Sequence, residues 1–188
     1  AVFGNMGSTD NIINQAIKAK LANAANANQS VITLANQDAV FQGAISAPKE
    51  AFSGAYKYKT VGNTSFISVD NKNGGIYKVK GQWDYLKGLI AKSPANVVIL
   101  LQGNDKSADA IDQNVFDKII QKEAKAKNIY VVYQGKTFAG RMDGNVSYIS
   151  LADYNSMSKA NIYTDIKYLQ FAEMDGKLVY GFKTVINP

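Results

Sequence analysis

The chain has 188 residues, 46% hydrophobic and 19% charged, so it is long enough to bury a core and lacks the composition of a disordered protein. It contains neither cysteine nor histidine, which excludes disulfides, thiolate chemistry, Ser-His-Asp and Cys-His catalysis, and histidine-ligated metal centres. The formal net charge is +6, and every basic residue except Arg141 is lysine, which disfavours sequence-specific reading of nucleic acid through arginine forks.

The first third of the chain predicts two strands around a helix. Apolar residues at helical spacing form a stripe of Ile13, Ile17 and Leu21, and the alanine- and asparagine-rich tail over 22–29 is expected to fray into a loop. The strands are predicted at 2–3 and 31–34. Residues 39–56 are ambiguous because glycine and proline interrupt them, and a short helix around 48–52 is one interpretation.

The middle of the chain predicts a strand, a helix and a second strand. Strands are expected at 58–61 and 65–69, around the turn at 62–63. Trp83, Leu86, Leu89 and Ile90 recur at helical spacing, and Ser93-Pro94 ends that helix. Five consecutive apolar residues over 97–101 indicate a strand buried on both faces. The pattern therefore predicts a βαβ unit, with Trp83 as a core anchor more readily than a stacking platform.

The last third predicts one more helix and closing hairpins. The predicted elements are a helix over 108–127, strands at 129–133 and 146–151, and a hairpin of 168–174 with 178–185 around Asp175-Gly176. Strands alternating with helices and then closing hairpins indicate a single α/β domain over residues 1–188. Its expected architecture is a layered sandwich of mixed β-sheets flanked by helices.

Two neighbouring segments carry a family resemblance. Val69-Asp70-Asn71-Lys72-Asn73-Gly74-Gly75, followed by Gln82-Trp83-Asp84-Tyr85-Leu86, resembles the LDNSKGG…QWxWL segment of secreted bacterial calcineurin-like metallophosphoesterases. The resemblance runs from Ala1 to about Leu151. It implies a double-sheet sandwich flanked by helices, two metals held in loops at strand ends, and hydrolysis of phosphate esters.

The positions that match the family's metal ligands hold other residues in this chain. The Asp-x-His motif corresponds to Gly4-Asn5-Met6-Gly7, and Asp38 is the remnant of the Gly-Asp motif. Nothing in the region around Pro48-Lys49-Glu50 matches Gly-Asn-His-Asp/Glu. The later histidines correspond to Gln102-Gly103-Asn104 and to Gln134-Gly135-Lys136-Thr137. The candidate pocket residues implied by the resemblance are Asn5, Asp38, Gln102, Asn104 and Lys136.

A dinuclear centre requires several anionic or imidazole ligands around two cations, and one carboxylate with amides and a lysine does not supply them. We therefore expect a catalytically inactive domain without metal or cofactor, with a polar pocket at the former active-site edge. For each residue alone an ordinary role competes with this hypothesis. Asn5, Gln102 and Asn104 suit turns and strand ends, Asp38 suits a helix cap, and Lys136 suits a solvated surface.

The expected role is structural or interactive, within a larger bacterial surface or secreted protein from which this domain is excised. Partners would be protein or cell-wall polymer contacts made through the larger chain, outside the cell or at its surface. No apolar run approaches the roughly 20 residues of a membrane span. Two alternatives stay open: a residual phosphoesterase that uses Asp38 with Mg²⁺ or Ca²⁺, and a weak binder of anionic polymers such as cell wall or nucleic acid.

Overall fold

The computed structural model of the chain describes residues 1–4, 12–34, 49–52, 54–103, 109–153 and 166–185. These residues form three α-helices, one 3₁₀ turn and eleven strands. The helices are α1 (Ile12–Asn26), α2 (Gln82–Lys92) and α3 (Ala110–Glu123), and the 3₁₀ turn is Ile76–Lys78. The strands are β1 (Val2–Phe3), β2 (Val31–Leu34), β3 (Lys49–Phe52), β4 (Tyr58–Val61), β5 (Thr64–Val69), β6 (Asn96–Leu101), β7 (Asn128–Gly135), β8 (Ala139–Asp143), β9 (Val146–Ala152), β10 (Lys167–Met174) and β11 (Lys177–Thr184).

The strands form two mixed sheets. The five-stranded sheet has the order β11-β10-β1-β2-β3, and the six-stranded sheet has the order β4-β5-β6-β7-β9-β8. In the first sheet β1, β2 and β3 are parallel, whereas the β10–β11 hairpin joins antiparallel to β1. In the second sheet β5, β6, β7 and β9 are parallel, with β4 and β8 as antiparallel edges. The predicted βαβ unit is confirmed, since β5 and β6 pair in parallel across α2.

The residues of β6 show how the layers are held together. Its side chains alternate, as the strand period of two requires: Val97, Ile99 and Leu101 pack beneath α2 and α3. Val98 and Leu100 point to the opposite face and pack against the five-stranded sheet. Both faces are therefore buried, which explains why this strand has five apolar residues in a row and no polar alternation.

The five-stranded sheet is covered on its outer face by α1. Leu21 and Ala25 of the helix pack with Phe3 and Val31 of the sheet, while Ile32 faces the other sheet. The order of layers is helix, sheet, sheet, helices, so the predicted layered α/β sandwich is confirmed at this level. None of the described helices is long and apolar enough to cross a membrane.

Two local predictions were wrong. The short helix considered around 48–52 is strand β3, which pairs in parallel with β2 from Val31↔Lys49 to Leu34↔Phe52. The tail of α1 does not fray at residue 22 but remains helical to Asn26, because Ala22 and Ala25 are buried against the sheet. Tertiary packing overrides local sequence preference in both places.

Candidate functional site: the carboxyl edge of the two sheets

The parallel strands of both sheets end at one common edge of the sandwich. The side chain of Gln102, which follows β6, donates a hydrogen bond to the carbonyl of Phe52 at the end of β3. Gly4, which follows β1, lies against the end of β9, since a Cβ placed on it would be 3.0 Å from the carbonyl oxygen of Ala152. Loops at the carboxyl ends of parallel strands are where open α/β sheets bind ligands, so this edge is the candidate site.

Gln102 is held firmly in this edge by one end of its amide. The residue is 3% exposed, and its Nε2 donates to the Phe52 carbonyl and, at 3.1 Å, to Oγ of Ser68. Its Oε1 is buried and accepts no hydrogen bond from any residue that the structure describes. A buried acceptor without a donor costs about 1–3 kcal/mol, so this oxygen is an unsatisfied acceptor at the junction of the two sheets.

Gln134 lies at the same edge, near the end of β7. Both atoms of its side-chain amide are buried, and within the described part of the chain neither Nε2 nor Oε1 has a hydrogen-bond partner. Its Oε1 is 3.8 Å from the position that a Cβ on Gly4 would occupy, so this amide faces the end of the other sheet. Gln102 and Gln134 are together called the amide edge below. Among the described residues, one buried side-chain donor and two buried acceptors of this pair have no partner.

Backbone contacts bring the ends of neighbouring strands into register beside the amide edge. The amide N of Gly103 donates to Oδ1 of Asn71 at 2.7 Å, and the carbonyl of Gly103 accepts from the amide N of Gln134 at 3.2 Å. Gly135 is required by space, because a Cβ there would stand 2.0 Å from Oγ of Ser150. The edge is therefore a tightly packed neutral surface of amides and backbone.

The loop after β5 is held by a third glutamine, Gln82, in the first turn of α2. Gln82 is fully buried, and its Oε1 accepts from the amide N of Asp70 at 2.6 Å. Its Nε2 donates to the carbonyls of Asp70 at 2.8 Å and Ile76 at 3.0 Å. We call this set of three bonds the loop clamp. It gives a structural reason for the sequence pairing of Asp70-Asn71 with Gln82-Trp83, since the two segments hold each other in place.

Asp112 of α3 closes the same loop from the other side. Its carboxylate, 5% exposed, accepts from the amide N of Ile76 at 2.8 Å and of Tyr77 at 3.2 Å. These bonds satisfy the first amides of the 3₁₀ turn. Trp83 is partly buried and packs against the helix-covered core, in agreement with its prediction as a core anchor.

The five predicted pocket residues are not all placed by the structure. Gln102 lies in the edge as described, whereas Lys136 is exposed beyond the end of β7. Asn5, Asp38 and Asn104 lie outside the described residues. Ligand binding by any of the five stays a prediction.

Gln134 was not among the predicted residues, although strand parity could have found it. Val132 of β7 faces the other sheet and Tyr133 faces the helices. The next residue, Gln134, must therefore face the other sheet again. In the same way, Leu100 of β6 faces the other sheet, so Gln102, two residues later, is expected to face it as well.

The donor set of the amide edge does not fit the pair of metals that the family resemblance implies. Gln102 and Gln134 are neutral, and the side-chain nitrogen of Gln102 already donates to the Phe52 carbonyl and the Ser68 hydroxyl. Among the described residues no three Asp, Glu, His or Cys side chains come together in a group that could hold a metal ion. Amide oxygens neither neutralise transition-metal cations nor lower the pKa of a bound water as anionic and imidazole ligand sets do. The arrangement is suited to hydrogen bonding with a neutral polar group.

Neither a scan against protein-family models nor a search of curated proteins gives a match to this chain. The resemblance to metallophosphoesterases therefore rests on the sequence motifs.

Proposed function

We propose that this chain is a metallophosphoesterase-like domain in which amides replace the metal centre, and that it acts as a structural or interaction domain. In this proposal it belongs to a larger bacterial surface or secreted protein. The observation that carries the proposal is the amide edge: Gln102 and Gln134 occupy the ends of β6 and β7, where the resemblance implies metal ligands. The layered arrangement of helix, two sheets and helices supports it, because it is the architecture that the resemblance implies.

The chemistry of the edge favours binding over hydrolysis. Phosphoester hydrolysis by this family's mechanism requires metal-activated hydroxide and cations that clamp the phosphoryl oxygens. Histidine is absent from the whole chain, so the commonest general base is missing too. A neutral pair of glutamines instead suits a hydrogen-bonded partner such as a peptide amide or a hydroxyl group.

A phosphodiesterase assay with a chromogenic phosphodiester tests the proposal. The purified chain is assayed with added Mn²⁺, Mg²⁺ or Ca²⁺, together with Asp38→Ala and the matched control Asp84→Ala, which removes an exposed carboxylate from α2. We expect no turnover above the buffer rate for any of the three proteins, and much less than one equivalent of metal by elemental analysis.

Metal-dependent turnover that is abolished by Asp38→Ala and retained by Asp84→Ala would establish the residual phosphoesterase instead. Near two equivalents of tightly held transition metal would also overturn the proposal, because the amide edge could not then be the centre's replacement.

A further inference from the structure

The positive charge of this protein is concentrated in one segment. Residues 54–92 contain seven lysines and two aspartates, so this stretch of about a fifth of the chain carries +5 of the net charge of +6. It spans β4, β5, the 3₁₀ turn and α2. Lys59 of this segment pairs with Glu50 outside it at 2.8 Å, and no ion pair between described residues involves Lys78 or Lys80. The local field is therefore strongly positive at this edge of the six-stranded sheet.

The same segment exposes its aromatic side chains. Among the described residues, the aromatic residues with the largest exposed fractions are Tyr56 at 46%, Tyr58 at 42% and Tyr77 at 46%. All three lie within the basic segment and are followed directly by a lysine. Large aromatic rings usually bury most of their surface, so three exposed rings in one charged region are an unusual feature that calls for a partner.

Contacts place Tyr56 against α2 and the loop before it, and Tyr77 with Lys78 forms a second pair in the 3₁₀ turn that precedes this loop. The Tyr56 ring meets the Tyr85 ring edge to face at a centroid distance of 4.9 Å, and its hydroxyl donates to the carbonyl of Lys80. Tyr58 lies on the adjacent edge strand, where its hydroxyl accepts from Thr60 at 2.8 Å. Lys78 Nζ lies 4.9 Å from the centroid of Tyr77. We define the tyrosine–lysine surface as Tyr56, Tyr58, Tyr77, Lys78 and Lys80.

The backbone of Tyr56 is held in an unfavourable conformation. Its φ is 63°, in the left-handed region that bulky residues rarely adopt. Such a conformation costs of order 1–3 kcal/mol and persists only where surrounding contacts fix it. Here the hydroxyl bond to Lys80 and the ring contact with Tyr85 fix it, so the ring is presented in one orientation.

We propose that the tyrosine–lysine surface binds single-stranded nucleic acid without sequence preference. Lysine ammonium groups attract the phosphates, and exposed tyrosine rings stack on successive bases, which is the combination used for single strands. The surface contains no arginine, consistent with contacts that position the strand and do not read base edges. This inference goes beyond the proposed function and does not depend on the missing metal centre.

The exposed tyrosines favour a polynucleotide over other polyanions. A polyol phosphate or an inorganic polyphosphate has no flat ring, and lysines alone would suffice to hold it by charge. A duplex hides its base faces in the stack, so the rings could not reach them. Only a polymer that presents both phosphates and unstacked rings uses both components of this surface.

The test is fluorescence anisotropy with a labelled oligothymidylate, measured over a series of salt concentrations. Two variants probe the two components: Tyr77→Ala removes an exposed ring, and Lys78→Gln/Lys80→Gln removes two charges. The matched charge control is Lys122→Gln/Lys183→Gln, exposed positions on α3 and β11 that lose the same charge elsewhere. Thermal unfolding confirms that each variant remains folded.

We expect Tyr77→Ala to weaken binding at least about fivefold, the lower end for one stacked base. We expect the double lysine variant to reduce the slope of log K against log salt by about 1.4, from roughly 0.7 per phosphate contact on a single strand. The charge control should bind as the unaltered protein does. An abasic oligomer of equal length loses every stacking contact, so it should bind the unaltered protein more weakly than the oligothymidylate binds Tyr77→Ala.

Several results would overturn the inference. Equal binding of the abasic and thymidine oligomers, or no effect of Tyr77→Ala, would show that the rings make no contribution. Equal losses in the two lysine variants would show a general charge effect without a defined surface. Absence of binding at low salt, or tighter binding of an acidic polysaccharide of equal charge, would exclude this partner. These binding results are independent of the metal content and turnover that test the proposed function.

Discussion

The loop clamp and the amide edge place the same residue type at the same end of the molecule and use it in opposite ways. Gln82 is completely buried, and both ends of its amide are paired with the backbone of Asp70 and Ile76. Gln134 also has a buried amide, but neither end is paired with any residue that the structure describes. The first glutamine is explained by the fold, whereas the second, as described, costs the fold free energy. A buried amide therefore indicates a candidate site only when its hydrogen-bonding groups lack partners.

The largest expected effect is that of Gln82→Met, which keeps the side-chain length and removes all three bonds of the loop clamp. It leaves the amide N and the carbonyl of Asp70 without these partners, while the carbonyl of Ile76 keeps its bond from the amide N of Val79 at 3.2 Å. We therefore expect the free energy of unfolding to fall by about 2 kcal/mol or more. Urea unfolding followed by circular dichroism measures it. The control is Gln121→Met, whose amide donates to the Asp143 carbonyl at an exposed site; it should cost less than about 1 kcal/mol. Equal losses in the two variants would contradict a special role for the clamp.

The hydroxyl of Tyr148 is a buried polar group away from the amide edge, and its contribution can be measured through the pH dependence of the unfolding free energy. Tyr148 is 2% exposed, and its hydroxyl donates to Oδ1 of Asp117 at 3.3 Å. Burial, together with the negative charge of Asp117, raises the pKa of this hydroxyl well above its usual value. The unfolded chain loses the proton near pH 10 while the folded chain keeps it, so stability is present below about pH 10 and falls as pH rises further.

Tyr148→Phe should therefore flatten the decline of unfolding free energy with rising pH above about 10, while changing stability at neutral pH by less than about 1.5 kcal/mol. Urea unfolding at a series of alkaline pH values measures it. Part of the decline should remain, because burial also raises the pKa of Tyr130. Parallel pH profiles for the variant and the unaltered protein would show that Tyr148 titrates alike in both states.

The smallest expected effect is that of Gln134→Met, the same substitution as at the loop clamp but in the amide edge. Because no bond is lost and two unpaired polar atoms are removed, stability should stay within about 0.5 kcal/mol or rise slightly. Measuring the unfolding free energies of Gln82→Met and Gln134→Met side by side tests the comparison between the two glutamines directly. A loss at Gln134 as large as that at Gln82 would show that its amide is a structural element of the fold.

The parts of the fold that were predicted correctly are those with local signals. The βαβ unit over 66–101 was found because a helical stripe stands between two β-prone runs, and the last hairpin because Asp175-Gly176 suits a tight turn. Both turn residues have positive φ, at 51° and 74°, as that turn type requires. Local chemistry dictates these elements, so a single sequence suffices to find them.

Two of the four edge strands, β3 and β8, escaped prediction because they carry weak patterns. β8 has no buried residue at all, and its Ala-Gly-Arg-Met-Asp sequence shows no alternation. It is a strand because β9 supplies antiparallel hydrogen bonds from Ala139↔Ser150 to Asp143↔Val146. β3 was interpreted as a short helix because its strand structure depends on pairing with β2, which is not its neighbour in a tight turn and so gives no local sequence signal.

Sequence by itself determined that histidine and cysteine chemistry is absent, that the net charge comes from lysine, and that α/β layers enclose a substantial core. It also indicated Gln102 as a residue of the strand-end site. Only the tertiary structure separated a fully bonded glutamine from one without a partner among the described residues, and showed that Tyr56, Tyr58 and Tyr77 stay exposed within the lysine-rich segment. The physical reason is that composition and periodicity are properties of neighbours in the chain, whereas hydrogen-bond satisfaction and surface charge depend on groups that meet only after folding.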